Sequence, residues 1–385
     1  MVANFRFIEP RKIGSPQKFI SSSSGYKHNF NSSQSLGGIL KKTIKLVAVF
    51  ATASLAFGFA PVATAATATK ACLALDTGGV DDKSFNASAW AGAQAAAKKN
   101  PSVTTPQPLG AASSADYAPN IKKLVDANCD IIIGVGFAIN DAIVAAAKAN
   151  PTVKFAIVDQ NGLSDGKPLA NLKPLEFATN ESSFQAGYLA AGVSKTGKVA
   201  TYGGLPFPSV TIFMDGFAKG VAHYNKVKGK NVQVLGWDIK TQEGTMVGGF
   251  GDSAKALQIS KNFEQQGADV ILPVAGGLAG ATAANSIASK KSYVIWVDTD
   301  GFVSANSYRK VLLTSVMKRV DLSVQNVILD VANNKFSSKG YMGTFANQGT
   351  KLAPYHDLIR VVPSALRQEV TKLGTDIKNG KISVK

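Results

Sequence analysis

Short apolar runs alternate with longer amphipathic stretches from residue 71 onward, and this alternation constrains the possible fold more than any other feature of the chain. The short runs are apolar at nearly every position, which is typical of strands in a parallel sheet that helices cover on both faces. Strands that alternate with helices form repeated βαβ units. The sequence therefore predicts an α/β fold.

The alternation occurs in two series, and each series predicts the same architecture. The first predicts strands at 72–76, 130–135 and 155–158 and helices at 84–99, 116–127 and 139–149. The second predicts strands at 198–202, 232–237, 270–273 and 293–297 and helices at 181–193, 211–225, 253–266 and 279–288. Because a single hydrophobic core stops growing at roughly 250 to 300 residues, this 385-residue chain is expected to form two lobes.

The predicted strands end in polar or glycine-rich residues. These endings are at 76–79, 134–136, 159–161, 203–204, 275–277 and 298–300. In open parallel sheets, ligands bind at the carboxyl ends of the strands. Two lobes whose strand ends face each other would form a cleft that closes on a small molecule.

The N-terminal region has the three parts of a secretory signal. Lysines at 41, 42 and 45 precede an apolar stretch at 46–60 and a small-residue A-x-A cleavage site at 61–65. We therefore predict a signal peptide at 40–68, cleaved near Ala65 to Ala68, and an exported protein. Residues 1–39 are predicted to be a disordered or mis-annotated extension, with translation starting at Leu40. Because Lys70 interrupts the small-residue pattern that lipidation of Cys72 requires, we expect no lipid anchor.

The positive charge of the chain does not indicate a nucleic-acid partner. Of the formal net charge of +17, +8 lies in residues 1–70, and the rest is spread without a basic run or an aromatic-interleaved cluster. After residue 66 no apolar run reaches the roughly 20 residues of a membrane span.

The two cysteines, Cys72 and Cys129, each stand at the start of an apolar run. An even pair in an exported protein is a candidate disulfide, but two buried free thiols fit the same positions. The sequence leaves both alternatives open.

Spacings typical of metal and catalytic sites are missing from the sequence. The histidines beyond the leader, His223 and His356, are far apart, and no serine or cysteine stands in a nucleophile-elbow pattern. We therefore predict no catalytic residue, no metal site and no cofactor.

The segment 76–86 reads as a strand end, a glycine turn and a helix start. It places carboxylates, an amide and an aromatic ring at the mouth of the first strand. The alternative is that Asp81, Asp82 and Ser84 cap a helix while Phe85 packs in the core.

This segment, DTGGVDDKSFN, resembles the first-strand motif of the basic membrane protein, or purine nucleoside receptor A, family of ABC-importer substrate-binding proteins. Further similar motifs follow in the family's order: FAIVDQ at 155–160, ESSFQAGYLAA at 181–191, GGFGDSAKA at 248–256, GADVILPVAGG at 267–277, YVIWVDTD at 293–300 and LLTSVMKRVD at 312–321. The resemblance implies a type I periplasmic-binding-protein fold with crossover hinges. We place the first lobe at 71–180 with 318–345 and the second at 181–317 with 346–385.

The resemblance also implies a set of ligand-binding residues. Phe85 and Phe250 would sandwich a base, and Gly249 stands where the family usually has serine, which puts a hydroxyl contact there in doubt. Polar edges of the base or ribose would be bound by Asp76, Asn86 and Asp159, the ribose hydroxyls by Asp298 and Lys318, and Gly276 would let the backbone approach. For Phe207, Trp237 and Trp296 we favour packing over lining the cleft.

The function that the resemblance implies is capture of a nucleoside, most simply a purine nucleoside, by a monomer that then docks on the permease subunits of an ABC importer. Two alternatives remain. One is a receptor for a sugar or another small molecule on the same scaffold, because a scaffold alone does not select its ligand. The other is an exported nucleoside-acting enzyme that uses Asp159 or Asp298 as a base.

Overall fold

The computed structural model describes residues 68–384. The predicted extension at 1–39 and residues 40–67 of the predicted signal peptide lie outside the described residues. The strands in chain order are β1 (Thr69–Leu75), β2 (Val103–Thr104), β3 (Ile131–Val135), β4 (Lys154–Val158), β5 (Leu172–Phe177), β6 (Lys198–Gly203), β7 (Gln233–Leu235), β8 (Trp237–Asp238), β9 (Glu243–Gly244), β10 (Val270–Val274), β11 (Tyr293–Asp298), β12 (Leu312–Lys318), β13 (Tyr341–Gly343) and β14 (Thr350–Leu352).

The helices surround these strands. In chain order they are α1 (Phe85–Lys99), α2 (Tyr117–Asp126), α3 (Asn140–Ala149), α4 (Asn180–Val193), α5 (Pro208–Lys228), α6 (Ser253–Gln265), α7 (Ala279–Ser289), α8 (Gly301–Ser304), α9 (Val320–Ala332) and α10 (Ser364–Lys378). Between residues 68 and 384, no helix is long and apolar enough to cross a membrane.

Two six-stranded sheets carry the fold, and their strand orders match position by position. The first sheet has the order β13-β5-β4-β3-β1-β2 and the second has the order β14-β12-β11-β10-β6-β7. Neighbouring strands are parallel, apart from the antiparallel pair β12 and β14. The α/β prediction is therefore confirmed, and each sheet is the centre of one lobe.

The apolar runs of the sequence are strands that are buried on both faces. In β3, Ile131 and Ile133 pack in one core cluster together with α1 and α9, while Ile132 packs in another cluster together with α2 and α3. All three side chains are fully buried. Because successive side chains of a strand point to opposite faces, burial on both faces requires an apolar residue at every position.

Three crossovers connect the two sheets. The chain passes from β5 into α4 and β6, returns from β12 into α9, and passes again from β13 to β14. Helix α9 packs on the first sheet, where Val320, Val324 and Val327 join its core cluster. The strand ends that precede these crossovers therefore lie between the lobes.

One predicted strand, at 232–237, is interrupted. The structure has β7 and β8 in its place, separated by Gly236 with a φ of +83°. A Cβ at Gly236 would lie 2.2 Å from the carbonyl oxygen of Thr201, so only glycine fits this close approach. The chain bends there, and β8 pairs with β9 instead of the main sheet.

Cys72 and Cys129 are bonded to each other, with an S–S distance of 2.01 Å and a Cα–Cα distance of 6.1 Å. Both belong to the buried cluster between the first sheet and helices α2 and α3. The bond closes a chain segment with a sequence separation of 57 residues.

Candidate functional site

A cavity lies between the two lobes, where the carboxyl ends of strands from both sheets meet. Its lining includes strand-end residues from both sheets, among them Asp76 of the first and Asp298 of the second. The structure brings all eight predicted ligand-binding residues into its lining: Asp76, Phe85, Asn86, Asp159, Phe250, Gly276, Asp298 and Lys318.

Three of the lining carboxylates stand at strand ends. Asp76 follows β1, Asp159 follows β4, and Asp298 is the last residue of β11. Strands β4 and β11 hold equivalent positions in their sheets, and Asp159 and Asp298 both have left-handed backbones with φ of +68° and +69°. Aspartate tolerates this conformation better than most residues. Each lobe thus contributes a carboxylate at the same topological position.

Asn86 holds Asp76 and keeps one polar atom free. Its Nδ2 donates to Asp76 Oδ1 at 2.8 Å, and the N–H of Gly78 donates to the same oxygen at 3.1 Å. Asn86 is only 1% exposed, yet its Oδ1 has no hydrogen-bond partner among residues 68–384. A buried acceptor without a donor is costly, so a ligand that supplies an N–H or O–H would be stabilised there.

Lys318 forms the one ion pair among the lining residues that the structure describes. Its Nζ lies 2.6 Å from Asp159 Oδ2, and both side chains are buried. The ammonium also lies 5.0 Å from the ring centre of Phe85 and 5.2 Å from that of Phe213. Aromatic faces attract a cation at this range, so Lys318 is held by charge and by rings together.

The cavity is rich in carboxyl groups. Burial raises the pKa of Asp76, Asp159 and Asp298, and Lys318 opposes the rise at Asp159 and Asp298. Burial also raises the pKa of Asp82 to about 7, although three backbone N–H groups donate to its carboxylate and lower the pKa. Within residues 68–384 no group of three or more His, Cys, Asp or Glu is arranged to hold a metal ion. The arrangement suits a ligand that offers several hydrogen-bond donors.

The two interpretations of segment 76–86 each describe part of it. Asp82 caps α1, because its carboxylate accepts from the N–H groups of Ser84, Asn86 and Ala87. The predicted capping role of Ser84 is not observed, since its Oγ donates to Asp298 Oδ2 at 2.6 Å instead. Phe85 lines the cavity.

Aromatic rings from both lobes line the cavity. Phe85 belongs to the first lobe and Phe250 to the second, and Phe137 stacks on Phe207 across the lobes with ring centres 4.7 Å apart. The prediction that Phe207 packs instead of lining the cleft is therefore wrong. The residue stands immediately before α5, where that helix begins at the cleft. Trp237 and Trp296 are buried, as expected for packing residues.

Sequence reasoning missed Phe137, although it follows the glycine-rich strand end at 134–136 that marks the cleft. It also missed Gly204, which packs against the ring of Phe250. A Cβ at Gly204 would lie 2.3 Å from Cε1 of Phe250, so this glycine makes room for the ring. Gly276 has a φ of +56°, and a Cβ there would meet no atom within 4 Å.

Gly136 supports Asp76 and provides a test of the site. Its φ is +119°, and a Cβ there would lie 2.6 Å from Asp76 Oδ2. We expect Gly136→Ala to lower the free energy of unfolding by about 1–3 kcal/mol through backbone strain, with a further loss from displacing Asp76. Urea unfolding measures this loss.

The matched control for this test is Gly79→Ala. Gly79 also has a positive φ, of +73°, but a Cβ there meets nothing within 4 Å. It therefore reports backbone strain alone. Equal losses in the two variants would show that the contact with Asp76 adds nothing.

The chain is similar to substrate-binding proteins of ABC transporters. The family model described as "ABC transporter substrate-binding protein PnrA-like" matches residues 69–385. The chain is 32% identical over 330 residues to the ABC transporter nucleoside-binding protein BmpA of Lactococcus lactis, covering 82% of this chain and 88% of that protein. It is 35% identical over 267 residues to the CD4+ T-cell-stimulating antigen of Listeria monocytogenes, covering 66% of this chain and 70% of that protein.

The fold itself is shared with solved structures. An ABC transporter solute-binding protein from Aeropyrum pernix superimposes with a TM-score of 0.71 at 22% identity, covering 82% of this chain and 92% of that one. The predicted type I two-sheet fold is thereby confirmed. Both the family match and the fold agree with the resemblance inferred from the motifs.

Proposed function

The chain belongs to the PnrA-like family of ABC transporter substrate-binding proteins, and from this premise we propose that its ligand is a nucleoside held between the lobes. The observation that carries the proposal is a cavity lined by an aromatic ring from each lobe, Phe85 and Phe250, beside buried carboxylates. Rings suit a flat base, and carboxylates suit its N–H groups and the ribose hydroxyls. The name of the Lactococcus relative, a nucleoside-binding protein, supports the same ligand class.

Each of the eight predicted ligand-binding residues has a role in this proposal. Phe85 and Phe250 stack on the two faces of the base, and a purine offers them the larger surface. Asp76, Asn86 and Asp159 bind polar edges of the base or ribose. Asp298 and Lys318 bind the ribose hydroxyls. Gly276 lets the backbone approach the ligand closely. The free Oδ1 of Asn86 gains a donor when the ligand enters.

The proposed cellular role follows from the family. Substrate-binding proteins of ABC importers work outside the cytoplasm, and we propose that this one is exported, is not lipidated and acts as a monomer. After closing on the ligand it docks on the permease subunits of the importer. Its binding energy drives closure and selectivity and not a reaction.

The test is isothermal titration of protein from residue 69 onward, purified through unfolding to remove any bound ligand. Adenosine, guanosine, inosine, cytidine and ribose are titrated separately. We expect saturable binding of the purine nucleosides and weaker binding of cytidine, because its base offers less stacking surface. Binding of ribose alone would instead identify a sugar receptor, and release of free base from an incubated nucleoside would identify an enzyme.

We expect Phe250→Ala to weaken nucleoside binding by about 5- to 150-fold, because a stacked ring contributes roughly 1 to 3 kcal/mol. The same titration measures this loss. Phe336→Ala is the control, since Phe336 is a half-buried ring outside the cavity lining. Unchanged affinity in Phe250→Ala would remove Phe250 from the proposed base site.

A further inference from the structure

A second set of contacts joins the lobes beside the cavity, and we call it the inter-lobe clasp. Its first-lobe residues are Lys83 and Ser84, and its second-lobe residues are Trp296, Asp298, Thr299 and Ser304. The carbonyl oxygen of Lys83 accepts from Trp296 Nε1 at 3.3 Å, from Thr299 Oγ1 at 2.9 Å and from Ser304 Oγ at 2.8 Å. One backbone carbonyl of the first lobe is thus held by three side chains of the second.

The backbone conformation of Lys83 suits this contact. Its φ is +57°, in the left-handed region that a lysine seldom adopts. Such strain persists only where surrounding contacts maintain it. The turn at Lys83 directs its carbonyl to the other lobe, so the three hydrogen bonds of the clasp offset the strain.

Ser84 is the second arm of the clasp. A serine immediately before a helix usually caps it, but here Asp82 does so and the Ser84 side chain makes no capping bond. Its hydroxyl, which is fully buried, lies 2.6 Å from Asp298 Oδ2 and 3.1 Å from the carbonyl oxygen of Val297. The serine therefore reaches a residue 214 positions away instead of its own helix.

The clasp is separate from the crossovers. None of its six residues lies in the connections that follow β5, β12 and β13. Separation of the lobes about those connections must therefore break the clasp. Asp298 belongs to both the clasp and the cavity lining, so the two are coupled through one carboxylate.

We propose that Ser84 is a positioning residue that orients Asp298 toward the ligand, and that the inter-lobe clasp holds the lobes closed and sets the rate of ligand release. The orientation of Asp298 toward a nucleoside rests on the proposed function. The closure of the lobes by the clasp does not rest on the proposed function, because the clasp contains protein groups only.

The first experiment measures lobe closure without ligand. Spin labels on cysteines introduced at Lys123 of the first lobe and Lys261 of the second, both exposed, report the distance between the lobes by double electron–electron resonance. The native cysteines are bonded to each other and do not take label. We expect Ser84→Ala to shift the distribution toward longer distances. An unchanged distribution in Ser84→Ala would overturn the closure role.

The matched control is Ser88→Ala. Ser88 lies one turn further along the same helix and is also buried, but its Oγ accepts from the N–H of Asp321, which belongs to the first lobe. Removing it deletes a buried hydroxyl without touching the second lobe. We expect the distance distribution of this variant to match that of the unmodified protein.

The second experiment measures release and selectivity. We expect Ser84→Ala to release inosine about tenfold faster in stopped-flow measurements, because it loses a buried hydrogen bond to a carboxylate. Its preference for inosine over the 2′,3′-dideoxy analogue should also fall by at least about threefold, because Asp298 loses its orientation. The double variant Thr299→Val with Ser304→Ala removes two of the three hydrogen bonds to the Lys83 carbonyl and leaves the contact between Ser84 and Asp298 in place. It should therefore speed release without changing that preference.

If Ser84→Ala keeps the preference for inosine over its dideoxy analogue, Ser84 does not position Asp298. If Ser84→Ala releases inosine at the unmodified rate, the clasp does not set the rate of release. If the unmodified protein binds no nucleoside, the proposed function fails and the positioning role fails with it. The distance measurement still decides closure in that case, so the two failures are distinguishable.

Discussion

Replacing Lys318 by methionine is expected to abolish nucleoside binding and to lower the free energy of unfolding by about 3–5 kcal/mol. Lys318 is 3% exposed, and its Nζ lies 2.6 Å from Asp159 Oδ2. Methionine fills a similar volume but leaves Asp159 buried without a cation. The same change removes the ammonium group that we assign to the ribose hydroxyls.

The double variant Lys318→Met with Asp159→Asn separates these two effects. Its asparagine is neutral, so no unpaired charge is buried, and we expect most of the lost stability to return. Binding should not return, because Lys318 and Asp159 are two of the polar side chains assigned to the ligand and both are altered. Urea unfolding and isothermal titration measure the two properties, and nucleoside affinity retained in the single variant would contradict the assigned role of Lys318.

Reduction of the disulfide is expected to lower the free energy of unfolding by about 4 kcal/mol. This value follows from the chain entropy released when a bond with a separation of 57 residues is opened. Both cysteines lie in the core, so the bond is reduced by unfolding the protein with a reductant present and refolding it in the same buffer. Urea unfolding of oxidised and reduced samples measures the difference.

The control is a variant with both cysteines replaced by alanine. It has smaller side chains in the core and will be less stable than the oxidised protein, but the reductant should leave its unfolding curve unchanged. A reductant effect of the same size in this variant would show that the loss does not come from the bond between Cys72 and Cys129.

The aspartates of the site illustrate how far sequence reasoning extends. Asp76, Asp159 and Asp298 each end an apolar run, and parallel strands bring their carboxyl ends to one edge of a sheet. Their positions at strand ends are therefore a consequence of local pattern and general topology. The meeting of Asp298 with the other two depends on how the second sheet faces the first. Phe250 and Lys318 lack such a signal, and only the resemblance to a family indicated them.

Phe207 shows where this reasoning fails. An aromatic residue beside a helix start has the same local sequence whether it packs in a core or lines a cleft. The structure places it against Phe137 of the other lobe, with ring centres 4.7 Å apart. Its environment depends on how the lobes meet, which no local pattern describes.

The sequence by itself determined the alternation of strands and helices, the burial of each sheet on both faces and the polar strand ends, because side-chain periodicity and backbone sterics act between near neighbours. Tertiary structure alone decided the pairing of Lys318 with Asp159, the bond between the two cysteines and the reach of Ser84 to Asp298. These contacts join residues 57 to 214 positions apart. The cysteines meet because β1 and β3 are neighbours in the first sheet, and the other two pairs meet because the crossovers bring the two sheets together.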